Sequence, residues 1–88
     1  MKTIWKFKLN VVDKESVVIP QGAQFLDAQM QGGVLTLWAV VDPHANIAKK
    51  TVYVRGTGHD MPEEDVEHIG TVQERAHALV WHVFIATK

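Results

Sequence analysis

Cysteine is absent from the sequence, and serine occurs only once, as Ser16. The absence of cysteine excludes disulfides, thiolate metal sites and thiol nucleophiles, and it fits a reducing cytoplasm. Ser16 lies in a predicted turn with no histidine near it in sequence, which argues against a serine nucleophile activated by a neighbouring base. These two shortages predict that the protein is not an enzyme.

Long apolar runs and an excess of positive charge are missing as well. No apolar run approaches the ~20 residues that a membrane-spanning helix needs. Lysines at positions 2, 6, 8 and 14 interrupt the N-terminal segment, unlike the core of a signal peptide. The formal net charge is −1, whereas a protein that binds duplex nucleic acid needs a basic surface. We therefore expect a soluble protein whose partner is neither a membrane nor a nucleic-acid duplex.

The composition is that of a folded globular protein, because 47% of the 88 residues are hydrophobic and 22% are charged. A chain of this length builds one hydrophobic core, so we expect a single domain over residues 1–88. A core this small gives marginal stability, and no disulfide supports it. We therefore expect self-association, as a homo-oligomer.

Alternation of apolar and polar residues predicts β-strands. In "IWKFKLNVV" the apolar Trp5 and Phe7 alternate with Lys6 and Lys8, which is typical of a half-buried strand. The run "VLTLWAVV" is apolar on both parities and is therefore predicted to be a central strand. Because "QGG" separates it from "AQFLDAQM", these two segments are predicted to form a hairpin.

The remaining segments complete an all-β pattern. "VVIPQGA", "TVYVR", "HIGTVQER" and "ALVWHVFIATK" read as further strands, and "DPHANIAKK" reads as a polar connection. The acidic residues after Asp60 allow at most one helical turn, near residues 62–67. We predict an all-β, mostly antiparallel fold: a small β-sandwich or open barrel of about seven short strands.

The segment "RGTGH" is the best candidate for a contact with a ligand or partner. Its glycines can turn the backbone so that N–H groups form an anion-binding nest beside an arginine. It lacks the third glycine of a dinucleotide loop and the Gly-Lys-Ser/Thr ending of a Walker A loop. The alternative interpretation is a simple bend between two strands. The candidate contact residues here are Arg55, Gly56, Thr57, Gly58 and His59.

Tryptophan and arginine supply further candidates for a contact surface. All three tryptophans lie in predicted strands, where they are expected either in the core or at an interface that also stacks aromatic ligands. Arginines near such rings can hold phosphate or carboxylate groups, or they can be ordinary charges at strand ends. The additional candidates are Trp5, Trp38 and Arg75.

The histidines do not follow a zinc signature such as H-E-x-x-H. His59 and His68 flank a carboxylate-rich segment and are weak candidates for a metal site at the ends of a loop. The interpretation preferred here is that the protein holds neither a metal nor another cofactor. His82, between Trp81 and Val83, is expected to satisfy a neighbour at a sheet edge or an interface.

Several segments in order, "MKTIWKF", "IPQGAQFL", "LWAVVDP", "YVRGTGH", "HIGTV" and "LVWHVF", span nearly the whole chain. Together they resemble a family of small bacteriophage and prophage proteins that have no established activity. The resemblance implies a non-enzymatic phage accessory protein in the bacterial host cytoplasm. Such a protein would counter a host defence or host factor by sequestering a cyclic nucleotide signal or by masking a host defence protein. The alternatives are a virion structural or assembly component and a metal-dependent hydrolase.

Overall fold

Strands make up most of the chain. The computed structural model describes residues 1–88, with only the backbone of His77. Seven strands follow one another: β1 (Thr3–Lys8), β2 (Lys14–Pro20), β3 (Gln24–Gln31), β4 (Val34–Val41), β5 (Ile47–Gly56), β6 (Val66–Glu74) and β7 (Leu79–Ala86). The predicted all-β fold is confirmed. Residues 62–67 contain a bend followed by the start of β6, and the one short helical turn among the described residues is a 3-10 turn at Arg75–His77.

The strands form two antiparallel sheets. Sheet A has the order β1-β4-β3, and sheet B has the order β2-β5-β7-β6. The predicted hairpin joins β3 to β4 through Gly32 and Gly33, whose φ angles of 56° and 80° are those of a type I′ turn. As predicted, β4 is the central strand of its sheet, with β1 paired on one side and β3 on the other.

The core fills the space between the two sheets. From sheet A, Leu35 and Leu37 of β4 point inward, and from sheet B, Val52 and Val83 do so. These side chains are at most 2% exposed. The next residue along each strand points its side chain to the opposite face of the sheet. We call this the outer face, because it points away from the other sheet. The fold is therefore a β-sandwich with one shared apolar layer.

Two local predictions were wrong. β5 begins at Ile47, inside the segment predicted as a polar connection, because its first residues pair with β2 from Lys50 opposite Val17 to Ile47 opposite Pro20. Ser16, predicted in a turn, lies in β2 opposite Thr51 of β5. In both cases pairing with a neighbouring strand overrides a weak local preference.

The order of strands in sheet B forces one connection to cross its surface. β5 and β6 are both antiparallel to β7, which lies between them, so β5 and β6 run in the same direction. The chain that leaves β5 at Gly56 must therefore return along the sheet to begin β6 at Val66. We call this connection, residues 57–65, the strap.

The two sheets meet closely along one side, between β3 and β6. Each of these strands has a bulge, at Leu26 in β3 and at Ile69 in β6. Beside the bulges, a Cβ added to Gly70 would lie 2.7 Å from the carbonyl oxygen and 2.8 Å from the nitrogen of Ala28. Only glycine, which has no Cβ, allows the backbone of β6 to come this close to the backbone of β3. We call this contact between β3 and β6 the seam.

Candidate functional site

The strap is held against the outer face of sheet B by side chains of β5. Arg55 Nε donates to the carbonyl oxygen of Asp60 (2.8 Å), and its Nη1 donates to both the carbonyl and a carboxylate oxygen of Asp13 (2.7 Å each). The Tyr53 hydroxyl donates to the Glu64 carboxylate. At the far end of the strap, Thr87 N–H donates to the carbonyl oxygen of Asp65 (3.1 Å). Arg55 therefore positions the strap and the loop between β1 and β2.

The predicted contact segment forms a tight turn at the start of the strap. His59 N–H donates to the Gly56 carbonyl (3.1 Å), and Gly58 has a φ of 93°, as position i+2 of a type II turn requires. The N–H of Gly56 donates back to His59 Nδ1 (3.1 Å), and a Cβ at Gly56 would lie 2.9 Å from that ring. The Gly56 N–H that an anion nest would use is thus occupied by His59.

A line of hydroxyl and imidazole groups crosses the outer face of sheet B from the strap to β6. Thr57 Oγ1 lies 2.9 Å from His82 Nε2, and His82 Nδ1 lies 3.0 Å from Thr71 Oγ1. Thr71 Oγ1 is also 2.9 Å from His68 Nε2. We call these four side chains the polar row. His82 thus satisfies Thr71 in its own sheet and Thr57 in the strap.

The polar row is a chain of hydrogen bonds that can run in either direction. If His68 Nε2 carries a proton, it donates to Thr71, which donates to His82 Nδ1, and His82 Nε2 then donates to Thr57. Shifting each proton to the opposite partner reverses every bond while leaving one proton in each. A bound group at one end of the row can therefore be either a hydrogen-bond donor or an acceptor, because the hydrogen bonds of the row can reverse to suit it.

The Tyr53 ring lies on the same outer face of sheet B as the polar row and contacts Glu64 of the strap. Tyr53 is 6% exposed. The Arg55 guanidinium carbon is 5.3 Å from its ring centroid, and Lys14 Nζ is 5.8 Å from it. The hydrogen bond to the Glu64 carboxylate raises the pKa of Tyr53 above its ordinary value of 10.0, and desolvation and the charge of Glu64 act in the same direction. The positive charge of Arg55 opposes this shift.

Beyond the seam, β3 and β6 separate and leave a groove of about 660 Å³. We call it the seam groove. Thr71 and Gln73 of β6 line one wall, Gln29 and Met30 of β3 line the other, and Arg75 lies at the end of β6. Thr71 is therefore shared between the polar row and the seam groove. The predicted candidate Arg75 therefore lines the same groove as Thr71.

The two candidate tryptophans belong to sheet A, apart from the other predicted contact residues. Trp38 lies half-buried on the outer face of β4 opposite Lys6, and Trp5 is 41% exposed at the edge strand β1. Trp81 packs against the core and donates from Nε1 to Glu74 Oε2 (3.2 Å). The predicted residues thus divide between two surfaces.

The two histidines considered for a metal site occupy different surroundings. The His59 ring faces the N–H of Gly56, whereas His68 lies against Thr71 and the ring of Phe84, with a centroid distance of 5.4 Å. Within the described part of the chain, no group of three or more His, Asp and Glu side chains is placed to hold a metal ion.

Several residues of the site were missed by sequence reasoning. Thr71, Tyr53 and Glu64 were not singled out. Thr71 and Tyr53 each contact a residue that was, and Glu64 contacts Tyr53. The usable signal was the alternation in β5, where Tyr53 and Arg55 share a parity opposite to the buried Val52 and Val54. That parity places both side chains on the outer face.

A model of a protein family, described as a domain of unknown function (DUF7352), matches residues 1–88. The chain belongs to this family. Neither the curated proteins nor the solved structures include a significant match to it. Among the described residues, none of the helical segments has the length and apolar character needed to cross a bilayer.

Proposed function

We propose that this DUF7352 protein is a non-enzymatic binding protein that sequesters a small phosphate-bearing ligand, such as a cyclic nucleotide. The binding surface is the polar row together with the seam groove. The observation that carries this proposal is the position of Thr71: its hydroxyl contacts both imidazoles of the row, and the same residue lines the groove that Arg75 also lines.

The chemistry of this surface suits phosphate oxygens. Hydroxyl, imidazole and amide groups donate hydrogen bonds, and the arginine guanidinium adds a planar fork that matches phosphate geometry. The Glu74 carboxylate, which also lines the groove, accepts a hydrogen bond from the indole N–H of Trp81. A volume of about 660 Å³ lies within the ~300–1,000 Å³ typical of small-molecule sites.

Binding without turnover is supported by the partners of the imidazoles. Among the described side chains, the hydrogen-bond partners of His68 and His82 are threonine hydroxyls, not carboxylates. A histidine that acts as a general base is usually oriented by a carboxylate, as in a catalytic triad. The row is therefore better suited to hold a ligand than to activate a nucleophile.

The sequence resemblance supplies the biological setting of the proposal. A phage accessory protein in the bacterial host cytoplasm would bind the nucleotide signal of a host defence system and lower its free concentration. Sequestration requires affinity and copy number, not catalysis, which suits a small domain with an exposed polar surface.

Thermal unfolding with a ligand panel tests the nucleotide proposal. We expect one member of a panel of cyclic mono-, di- and oligonucleotides to stabilise the protein, by ~2.7 kcal/mol at 100 times its dissociation constant. Arg75→Gln and Thr71→Val should each weaken binding by roughly tenfold or more. Lys49→Gln, which removes an exposed lysine of β5 away from the groove, should bind as the parent does. No stabilisation by any nucleotide, while inorganic phosphate is also silent, would refute it.

The outer face of sheet A favours a second candidate function, the masking of a protein partner. Ile4 and Leu26 are 58% and 46% exposed on this sheet, and Trp38 lies between their strands. Exposed apolar side chains gathered around a tryptophan are typical of protein interfaces. Replacing Trp38 with lysine should abolish capture of a host protein while leaving nucleotide binding intact, and the reverse pattern would favour the seam groove.

A further inference from the structure

A second cavity lies at the opposite end of the sandwich from the seam groove. Its volume is about 630 Å³, and it opens where β2 and β7 end and where β3, β5 and β6 begin. Its floor is apolar: Ile19 and Ile85 are 1% and 3% exposed, and Phe25 packs beside them. None of the residues that line the seam groove borders this cavity.

Two residues of opposite charge also line this end cavity. Lys50 pairs with Val17 and shares the inward parity of Val52 on β5, and Glu67 pairs with Ile85, whose side chain belongs to the core. Charged residues on the inner parity of a sandwich strand are unusual, because that parity normally fills the core. Packing alone therefore does not account for these two positions.

Lys50 and Glu67 do not neutralise each other directly. Among the described side chains, the one ion pair within 4.0 Å joins Arg55 to Asp13. The lining of the cavity thus includes one cationic and one anionic residue, which form no ion pair with each other, beside apolar side chains. An apolar cavity with a few converging polar groups is the usual form of a small-molecule site.

From this arrangement we propose that the end cavity binds a small zwitterionic molecule with an apolar side chain, the chemical class of the free aliphatic amino acids. The ligand carboxylate pairs with Lys50, its ammonium pairs with Glu67, and its side chain covers Ile19, Phe25 and Ile85. A simple carboxylic acid would gain Lys50 but meet the like charge of Glu67, and a simple amine would meet the converse penalty. Only a molecule with both charges satisfies both residues.

Three matched probes test the ligand class by 1H–15N correlation NMR on the full chain. Leucine carries both charges, 4-methylpentanoate lacks the ammonium, and 3-methylbutylamine lacks the carboxylate. We expect leucine to shift the amide signals of Phe25, Ile85 and Ala86 in a saturable way. Each single-charge analogue should bind roughly tenfold or more weakly, since it loses one charge-assisted contact. Equal affinity for 4-methylpentanoate would overturn the zwitterion assignment, and no shift with any probe would overturn the site.

Neighbouring residues in sequence provide the matched variants. Lys50→Met should weaken leucine binding at least tenfold, whereas Lys49→Met, on the opposite face of the same strand, should change it less than about twofold. Glu67→Gln should give a similar loss, and Glu63→Gln in the strap should give none. Loss of binding in Lys49→Met equal to that in Lys50→Met would contradict the assignment. Because Lys50 and Glu67 are tested separately, one variant that fails to fold leaves the other decisive.

Discussion

The two outer faces of the sandwich differ in how much of each is covered by other parts of the chain. On sheet B the strap lies across the strands, Tyr53 beneath it is 6% exposed, and the polar side chains are joined in a continuous row. On sheet A no connection crosses the face. There Lys6 Nζ donates to Gln31 Oε1 (2.8 Å) across β4, while Ile4 stays 58% exposed.

This difference follows from strand order alone. In sheet A, β1 and β3 each pair with the central strand β4. In sheet B, β7 lies between β5 and β6, which run in the same direction. A connection between such strands must cross a face of the sheet, and the inner face is filled by the core. Topology therefore decides which face is covered and which remains available to a partner.

The most disruptive change is expected at the seam, because the backbones of β3 and β6 approach each other closely at Gly70. Gly70→Ala places a Cβ 2.7 Å from the backbone of Ala28, and backbone cannot give way as a flexible side chain does. We expect a loss of about 3 kcal/mol in the free energy of unfolding, measured by urea denaturation. As a control, Gly22→Ala meets open space and carries only the strain of a φ of 77°, so about 1 kcal/mol is expected.

Truncating one ring on each face compares their coverage directly. Tyr53→Ala removes a ring that is covered by the strap and by two cations, whereas Trp38→Ala removes a half-buried ring from an open face. We expect the first change to lower the free energy of unfolding by roughly twice as much as the second, although tryptophan is the larger side chain. Equal losses would mean that the strap shields Tyr53 much less than its 6% exposure indicates.

Variants at Arg55 and at Asp13 compare the stability that comes from anchoring the strap with the stability that comes from the surface ion pair. The Arg55 side chain is 11% exposed and donates to carbonyl oxygens of Asp13 and Asp60, whereas the Asp13 side chain is 83% exposed. Arg55→Met should therefore destabilise the protein by about 2 kcal/mol, because the carbonyl oxygens of Asp13 and Asp60 lose a charged donor that joins the strap to the sheet. Asp13→Asn should cost less than about 1 kcal/mol. Thermal unfolding measures both variants, and the opposite ranking would show that the ion pair dominates.

The smallest expected effect is on the stability of the protein at alkaline pH, and it comes from Tyr53 on the covered face of sheet B. The Tyr53 pKa is raised in the folded state by its hydrogen bond to Glu64. The folded protein therefore holds this proton more tightly than the unfolded chain, and stability declines as pH rises above about 10. Melting temperatures between about pH 9 and 11 should fall more steeply for the parent than for Tyr53→Phe. Identical slopes would contradict the role of this hydroxyl.

Alternation in the sequence predicted the strands that follow it regularly. β1 was predicted because its apolar and polar residues alternate, and β4 and β7 were predicted because they are apolar on both parities. The glycine pair at 32–33 predicted the β3–β4 hairpin. The beginning of β5 was missed because Lys49 and Lys50 have little strand preference of their own. Their place in a strand comes from pairing with Val18 and Val17 of β2, which no local pattern reveals.

The polar row was missed for a different physical reason. His68 and Thr71 are three positions apart, and a regular strand places residues at that spacing on opposite faces. The bulge at Ile69 inserts one extra residue, so both side chains emerge on the outer face and come within 2.9 Å. A bulge exchanges the faces of all residues after it, so simple alternation places Thr71 on the wrong face relative to His68.

The place of β7 also governs how the protein can acquire its structure during synthesis. β7 is made after β5 and β6, yet it is the only strand that bonds to both of them. Until residues 79–86 have left the ribosome, β6 has no hydrogen-bonding neighbour in its sheet. Folding must therefore wait for contacts that are distant in the chain, which favours slow, all-or-none acquisition of order over growth from the N-terminus.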